Sequence, residues 1–127
     1  MTSVVVLGAS ADRSKYGNKS VRAYQRRGYK VYPVNPRETE IEGLPVYQSI
    51  TQVPCRPHII TAYLPPNILH KILPDIAAKG CDELWLNPGS DSEDVVADAK
   101  RLGLNVIRAC SIVGLGISPD AASPAII

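Results

Sequence analysis

The 127 residues predict an α/β domain of three layers, doubly wound around a mainly parallel five-stranded sheet. Three observations carry that expectation. Short apolar runs alternate with amphipathic stretches in the order β-α-β-loop-β-α-β-α-β, an alternation that demands right-handed crossovers with helices on both faces. The first run, Ser-Val-Val-Val-Leu, is continuous rather than alternating, as suits a strand covered on both sides. Finally, Gly28, Gly80 and Gly103 each follow a helical stretch where a stop is needed.

Each element has its own signal. Ser3–Leu7 is the first strand and ends at Gly8. Asn18 is read as the N-cap of a helix carrying Val21 and Tyr24, and Gly28 stops it. Lys30–Val34 is the second strand; Pro33 lacks a ladder donor, which places this strand near a sheet edge. Residues 35–57, rich in Pro, Gly and Glu, read as a loop with a short turn near residues 49–52. Residues 59–64 form the third strand. Pro65 and Pro66 open a helix with the apolar stripe Ile68, Leu69, Ile72, Leu73, Ile76 and Ala77, which Pro74 should kink. Glu83–Leu86 is the fourth strand. Ser90 and Glu93 have capping-box spacing ahead of Val95, Val96, Ala99 and Leu102. Residues 105–108 are the fifth strand, and residues 111–127 read as an irregular, apolar tail.

Composition excludes several classes. At 45% hydrophobic and 20% charged, the chain is globular rather than disordered, and its length suits one domain over residues 1–127. No apolar run reaches the ~18 residues of a membrane span, and no secretory leader is evident, so a cytoplasmic protein is expected. Cys55, Cys81 and Cys110 are far apart and odd in number, which fits reduced thiols better than disulfides or a zinc site. The net charge of +2 is uneven: residues 1–37 carry +7 and the remainder −5. A positive field over the first third favours an anionic ligand. The same charges would suit nucleic acid, but no helix-turn-helix or aromatic stacking platform accompanies them.

In such a fold ligands bind at the carboxyl ends of the strands, where the strand order reverses. The first strand runs into Gly8-Ala9-Ser10, then Arg13, Lys15, Tyr16, Gly17 and Asn18. Small residues let backbone N–H groups approach a phosphate at a positive helix terminus, with Ser10 as a hydroxyl donor and Lys15 or Arg13 as a point charge. The string is not G-x-G-x-x-G, and alone it equally suits a plain strand-to-helix turn. Where NAD-binding domains place an acid for the ribose, this chain has Asn35-Pro36-Arg37. A cation there suits a ribose phosphate, the 3′-phosphate of coenzyme A or the 2′-phosphate of NADP; it also suits an exposed partner of Glu38 and Glu40. The helix after the fourth strand begins Ser90-Asp91-Ser92-Glu93-Asp94, whose carboxylates already occupy its positive end. The diphosphate is therefore expected beside Ser10 and Lys15. Uncharged Leu64, Pro65 and Pro66, with Asn87, Pro88 and Gly89, would line a neck for a less charged part of the ligand.

The strings VVVLGAS, KYGN, YKVYPVNPR, IEGLPVY and LWLNPG, in this order and spacing, resemble the small CoA-binding proteins and the CoA-binding domain of succinyl-CoA synthetase-type ligases. The resemblance covers residues 3–110. It implies a five-stranded Rossmann-like domain. It also implies coenzyme A held by residues 8–10, 15–18 and 35–37 and by the loops after the third and fourth strands. It transfers no reaction.

A catalytic reading needs a nucleophile with a base or an acid–base pair. His70 falls on the polar side of its helix and His58 beside a strand end. Cys110, after the fifth strand, is either a reactive thiol, able to form a mixed disulfide with coenzyme A, or a small apolar residue. The expectation is a binding or regulatory module for a small nucleotide ligand, with NADP or NAD as the alternative. Any chemistry would come from a partner in trans, and the apolar tail could pack on such a subunit or on a second copy.

Overall fold

The computed structural model describes residues 2–116. Five strands form one parallel sheet: β1 (Ser3–Leu7), β2 (Lys30–Val34), β5 (Ile59–Ala62), β6 (Glu83–Leu86) and β7 (Val106–Arg108), in the order β2-β1-β5-β6-β7. The chain winds outward from β1 in one direction to β2 and in the other to β5, so the reversal lies between β1 and β5. The fold is Rossmann-like, as the alternation predicts.

The period-two geometry of β1 sorts its side chains between two cores. Val5 and Leu7 pack with Ile60, Ala62, Leu84 and Leu86 beneath α2 (Pro66–Lys79) and α3 (Glu93–Arg101). Val4 and Val6 pack on the opposite face with Val21 and Tyr24 of α1 (Tyr16–Arg26). All five residues of β1 are buried, which is why its sequence shows no alternation. Ile112, from the short α4 (Ser111–Gly114), packs on Ala23 of α1. The layers are thus α1 with α4, the sheet, and α2 with α3.

Pro33 lies in the edge strand β2, which pairs with β1 alone within the sheet. Pro66 opens α2, Gly80 ends it at φ +77°, and Pro74 lies inside it. Leu69, Leu73 and Ile76 are the buried part of the predicted stripe, while Ile68 is exposed. Among the described residues no helix is long and apolar enough to cross a membrane.

Four expectations are corrected. Asn18 does not cap α1: the helix begins two residues earlier, Lys15 is its N-cap without a side-chain bond, and Asn18 is buried within it. Residues 35–57 are not irregular throughout. A hairpin of β3 (Glu40–Ile41) and β4 (Leu44–Pro45) interrupts them, followed by a 3-10 turn at Ile50–Gln52, where a turn is predicted. The cap of α3 is Ser92, whose hydroxyl accepts from the Val95 N–H at 3.3 Å, rather than Ser90, which faces inward. The segment after Cys110 starts with α4 and only residues 115–116 follow it as turn; residues 117–127 of the expected tail lie outside the described residues. The third and fifth strands are also shorter than predicted, at Ile59–Ala62 and Val106–Arg108, with only single backbone bonds from Tyr63 to Leu7 and from Leu84 to Asn105 beyond them.

Candidate functional site

The loops after β1, β5, β6 and β7 converge at the carboxyl edge of the sheet on a cavity of about 670 Å³. Gly8, Lys15, Tyr16 and Gly17 reach it from the first loop and the first turn of α1. Leu64, Pro65, Asn87, Pro88 and Gly89 reach it from the loops after β5 and β6. Sequence reasoning missed three further lining residues, Tyr63, Ser90 and Val113, whereas Cys110, weighed there as a thiol within reach of coenzyme A, is part of the wall. Ala9, Ser10, Arg13, Asn18, Asn35, Pro36, Arg37 and Pro66 do not line the cavity; several of them shape the loop that does.

Two glycines explain how closely the walls approach. Gly8 sits at φ +81°, and a β-carbon there would meet the Tyr63 carbonyl oxygen at 2.7 Å. A β-carbon on Gly17 would overlap the Gly8 carbonyl oxygen outright. The first turn of α1 therefore rests directly on the end of β1. The Tyr16 and Gly17 N–H groups, at the positive end of the helix, make no hydrogen bond among the described residues.

The first loop is held by its carbonyls. Asn35 Nδ2 donates to the Ala9 carbonyl at 2.8 Å and Asn18 Nδ2 to the Ser10 carbonyl at 2.9 Å. A trans peptide directs its N–H opposite its C=O. The Ser10 and Ala11 N–H groups therefore point away from the two asparagines, and neither finds an acceptor among the described residues. Ser10 Oγ accepts from the Asp12 N–H at 3.0 Å, which leaves its hydroxyl proton available to donate. Hydrogen bonds from the Ser14 hydroxyl and N–H hold the Asp12 carboxyl below its usual range.

The cations divide. Lys15 lines the cavity. Arg13 instead pairs with Glu42 at 3.4 Å. Arg37 is exposed on the turn after β2, where the Asn35 side chain accepts from its N–H at 2.7 Å. At the competing helix terminus, Arg108 pairs with Glu93 at 2.9 Å and Asp91 at 3.6 Å, and the Glu93 hydrogen bond raises its pKa further. The carboxylates at that helix terminus are thus engaged by Arg108, a partner that the charge pattern of the helix start did not reveal.

Beneath the cavity lies a buried hydroxyl and amide network. Asn87 Nδ2 donates to Thr61 Oγ1 at 2.7 Å and to the Ala62 carbonyl at 2.9 Å, while its Oδ1 accepts from the Ser111 N–H at 2.8 Å. Ser111 Oγ bonds Thr61 Oγ1 and the Tyr63 hydroxyl. Burial pushes the Tyr63 and Tyr24 phenols above their ordinary values. Ser90 Oγ donates to the Leu64 carbonyl at 2.6 Å, tying the β6 loop to the β5 loop. The network joins β5, β6 and α4 under one wall. The only trace of it in the sequence is a threonine within an apolar strand and an asparagine directly after another.

The two histidines stand elsewhere: His58 Nδ1 bonds Ser3 at the amino edge of the sheet, and His70 pairs with Asp98 between α2 and α3.

A family model described as a CoA binding domain matches residues 2–116. The chain belongs to that family. Its relatives include larger enzymes and free-standing domains. This CoA-binding domain is 35% identical over 80 residues to subunit alpha of the ADP-forming acetate–CoA ligase II of Pyrococcus furiosus, a match over 61% of this chain and 17% of that one. It is 25% identical over 114 residues to the ADP-forming acetate–CoA ligase I of Archaeoglobus fulgidus, covering 82% and 17% respectively. The chain spans about one-sixth of the length of these ligases. They are acetate ligases, where the sequence resemblance pointed to the succinyl type. Among solved structures, a conserved hypothetical protein from Pyrococcus furiosus superposes with a TM-score of 0.81 at 29% identity, over 90% of this chain and 99% of that one. The dinucleotide-forming acetyl-coenzyme A synthetase 1 of Ca. Korarchaeum cryptofilum, in complex with phosphate and ADP, superposes with a TM-score of 0.74 at 26% identity, over 86% and 26%.

Proposed function

We propose that this domain binds coenzyme A, free or acylated, in the crevice at the carboxyl edge of the sheet, as a binding or regulatory module in the cytoplasm. The observation that carries the reading is the first loop. Its Ala9 and Ser10 carbonyls are held by Asn35 and Asn18, the N–H groups of Ser10, Ala11, Tyr16 and Gly17 have no acceptor among the described residues, and Lys15 lines the cavity. Such an array suits a diphosphate. The close packing of Gly8 and Gly17 leaves no side chain in the way.

Coenzyme A supplies a diphosphate, a ribose 3′-phosphate and a thiol on a long, weakly charged arm. Residues 8–18 would take the diphosphate, and Arg37 would take the 3′-phosphate from the turn after β2. Leu64, Pro65, Pro88 and Val113 would flank the arm. The matched segment is only 17% of each ligase, so acyl-CoA chemistry of their kind would need a further domain or a partner subunit. A second copy of the chain is the alternative partner.

Calorimetric titration tests the reading. Coenzyme A is expected to bind, dephospho-CoA more weakly, and NAD not at all. Equal affinity for coenzyme A and dephospho-CoA would remove the role of Arg37. Tighter binding of NADP than of coenzyme A would overturn the assignment.

A further inference from the structure

The tip of the β3–β4 hairpin carries a residue that the hairpin itself does not want. Ile41 pairs with Leu44, so Glu42 and Gly43 form a two-residue turn, and both have positive φ, +50° and +78°. Turns of that hand favour Asn-Gly, Asp-Gly or Gly-Gly, because a side chain with a β-carbon is strained there. Glu42 is the one non-glycine residue at positive φ among the described residues.

Its contacts explain why a glutamate stands in that place. Glu42 Oε2 accepts from Asn18 Nδ2 at 3.1 Å and pairs with Arg13 Nε at 3.4 Å, and its carbonyl accepts from Gln25 Nε2 at 3.3 Å. Asn18 is fully buried and is the residue that holds the Ser10 carbonyl. Its own oxygen accepts from Arg22 Nε at 2.8 Å, and Arg22 in turn donates to the Arg13 carbonyl at 2.9 Å. One carboxylate thus braces the amide that orients the middle of the first loop and ties down the cation at the loop's far end. Strain kept at one residue, with both contacts of its carboxylate directed at groups that hold or belong to the same loop, points to a functional role.

We infer that Glu42 is a positioning residue for diphosphate binding: the hairpin tip fixes the Asn18 amide, which holds the Ser10 carbonyl so that the Ser10–Ala11 peptide keeps its N–H free for the ligand. The inference rests on the crevice being the coenzyme A site.

The test compares Glu42→Gly with Glu42→Gln in the whole chain, reading coenzyme A affinity and thermal melting together. Glu42→Gly relieves the backbone strain and removes the brace. Its coenzyme A affinity should fall about fivefold, the scale of one lost hydrogen bond, with the melting temperature essentially kept. The loss should be equal for dephospho-CoA, because the 3′-phosphate is not involved. Glu42→Gln keeps an acceptor for Asn18 and loses only the ion pair; it should recover most of the affinity lost in Glu42→Gly. Unchanged or tighter binding by Glu42→Gly would overturn the inference. So would equal weakening in both variants, which would make the charge and not the grip on Asn18 the cause. If the unaltered chain fails to bind coenzyme A, the reading of the crevice falls first, and that outcome is separate from any difference between the variants.

Discussion

Gly17 presses on Gly8: a β-carbon added to the first would occupy the space of the carbonyl oxygen of the second. Backbone cannot move aside as a flexible side chain can, so Gly17→Ala must shift α1 away from β1. A loss of about 3 kcal/mol is expected, at the upper end for an overpacked site. Urea denaturation would check it, and coenzyme A affinity should fall in the same variant because the loop end and the helix terminus separate.

Ser10→Asp leaves the backbone of the first loop unchanged and puts a carboxylate beside the proposed diphosphate. Binding of coenzyme A should weaken by more than about tenfold while the melting temperature stays near that of the unaltered chain. Calorimetry in low and moderate salt would read both the loss and its screening. Near-unaltered affinity would show that the phosphates lie elsewhere.

Asn87→Ala removes the centre of the buried network and strands the Ser111 N–H. A destabilisation of roughly 2–3 kcal/mol is expected, since a buried donor loses its acceptor. The same change should loosen the β5, β6 and α4 wall, so amide exchange in residues 110–114 is expected to quicken more than exchange in α2. Uniform quickening throughout the chain would argue against a local role.

Stability should decline in alkali. Burial pushes the Cys81 thiol up to about 11, above its ordinary value of 9, and raises the Tyr24 and Tyr63 phenols as well. Above pH 9 the unfolded chain releases these protons before the folded one, so the folded state holds more protons and loses stability as pH rises. For Cys81 the loss falls between pH 9 and 11, with the tyrosines extending it upward. Chemical denaturation from pH 7 to 11 should show the decline, and Cys81→Ser should reduce its earlier part. A flat profile would contradict the burial of these groups.

The sheet was legible because its signals are local. The β-branched run of β1, the proline in the edge strand β2, the prolines that open α2 and the glycines that end the helices all act within a few residues of where they stand. Much of the candidate site was legible for the same reason: Gly8 and Asn87 directly follow strand ends, and Lys15 and Gly17 stand where the next helix begins. What escaped were bonds that span the chain. Asn18 looked like a cap because its partner Glu42 lies 24 residues away, and nothing near position 18 announces it. The hairpin was hidden by Glu42, which stands where a turn of that hand ordinarily carries Asn, Asp or Gly. Ser90 and Ser92 are both capping residues by type, and the choice fell to Ser92 because the Leu64 carbonyl claims Ser90 from another loop. Thr61, Tyr63, Asn87 and Ser111 form a network only once β5, β6 and α4 meet.

Gly114 also leaves room for Trp85, since a β-carbon there would strike the indole ring at 2.8 Å. Trp85 is the single tryptophan of the chain, and it touches the short helix that carries Val113 and follows Cys110. Indole emission, excited selectively over the six tyrosines, thus comes from one ring in contact with one wall of the crevice. Any ligand that moves that helix would alter the indole's surroundings, so the protein carries its own optical sensor and needs no attached dye to reveal when the crevice fills.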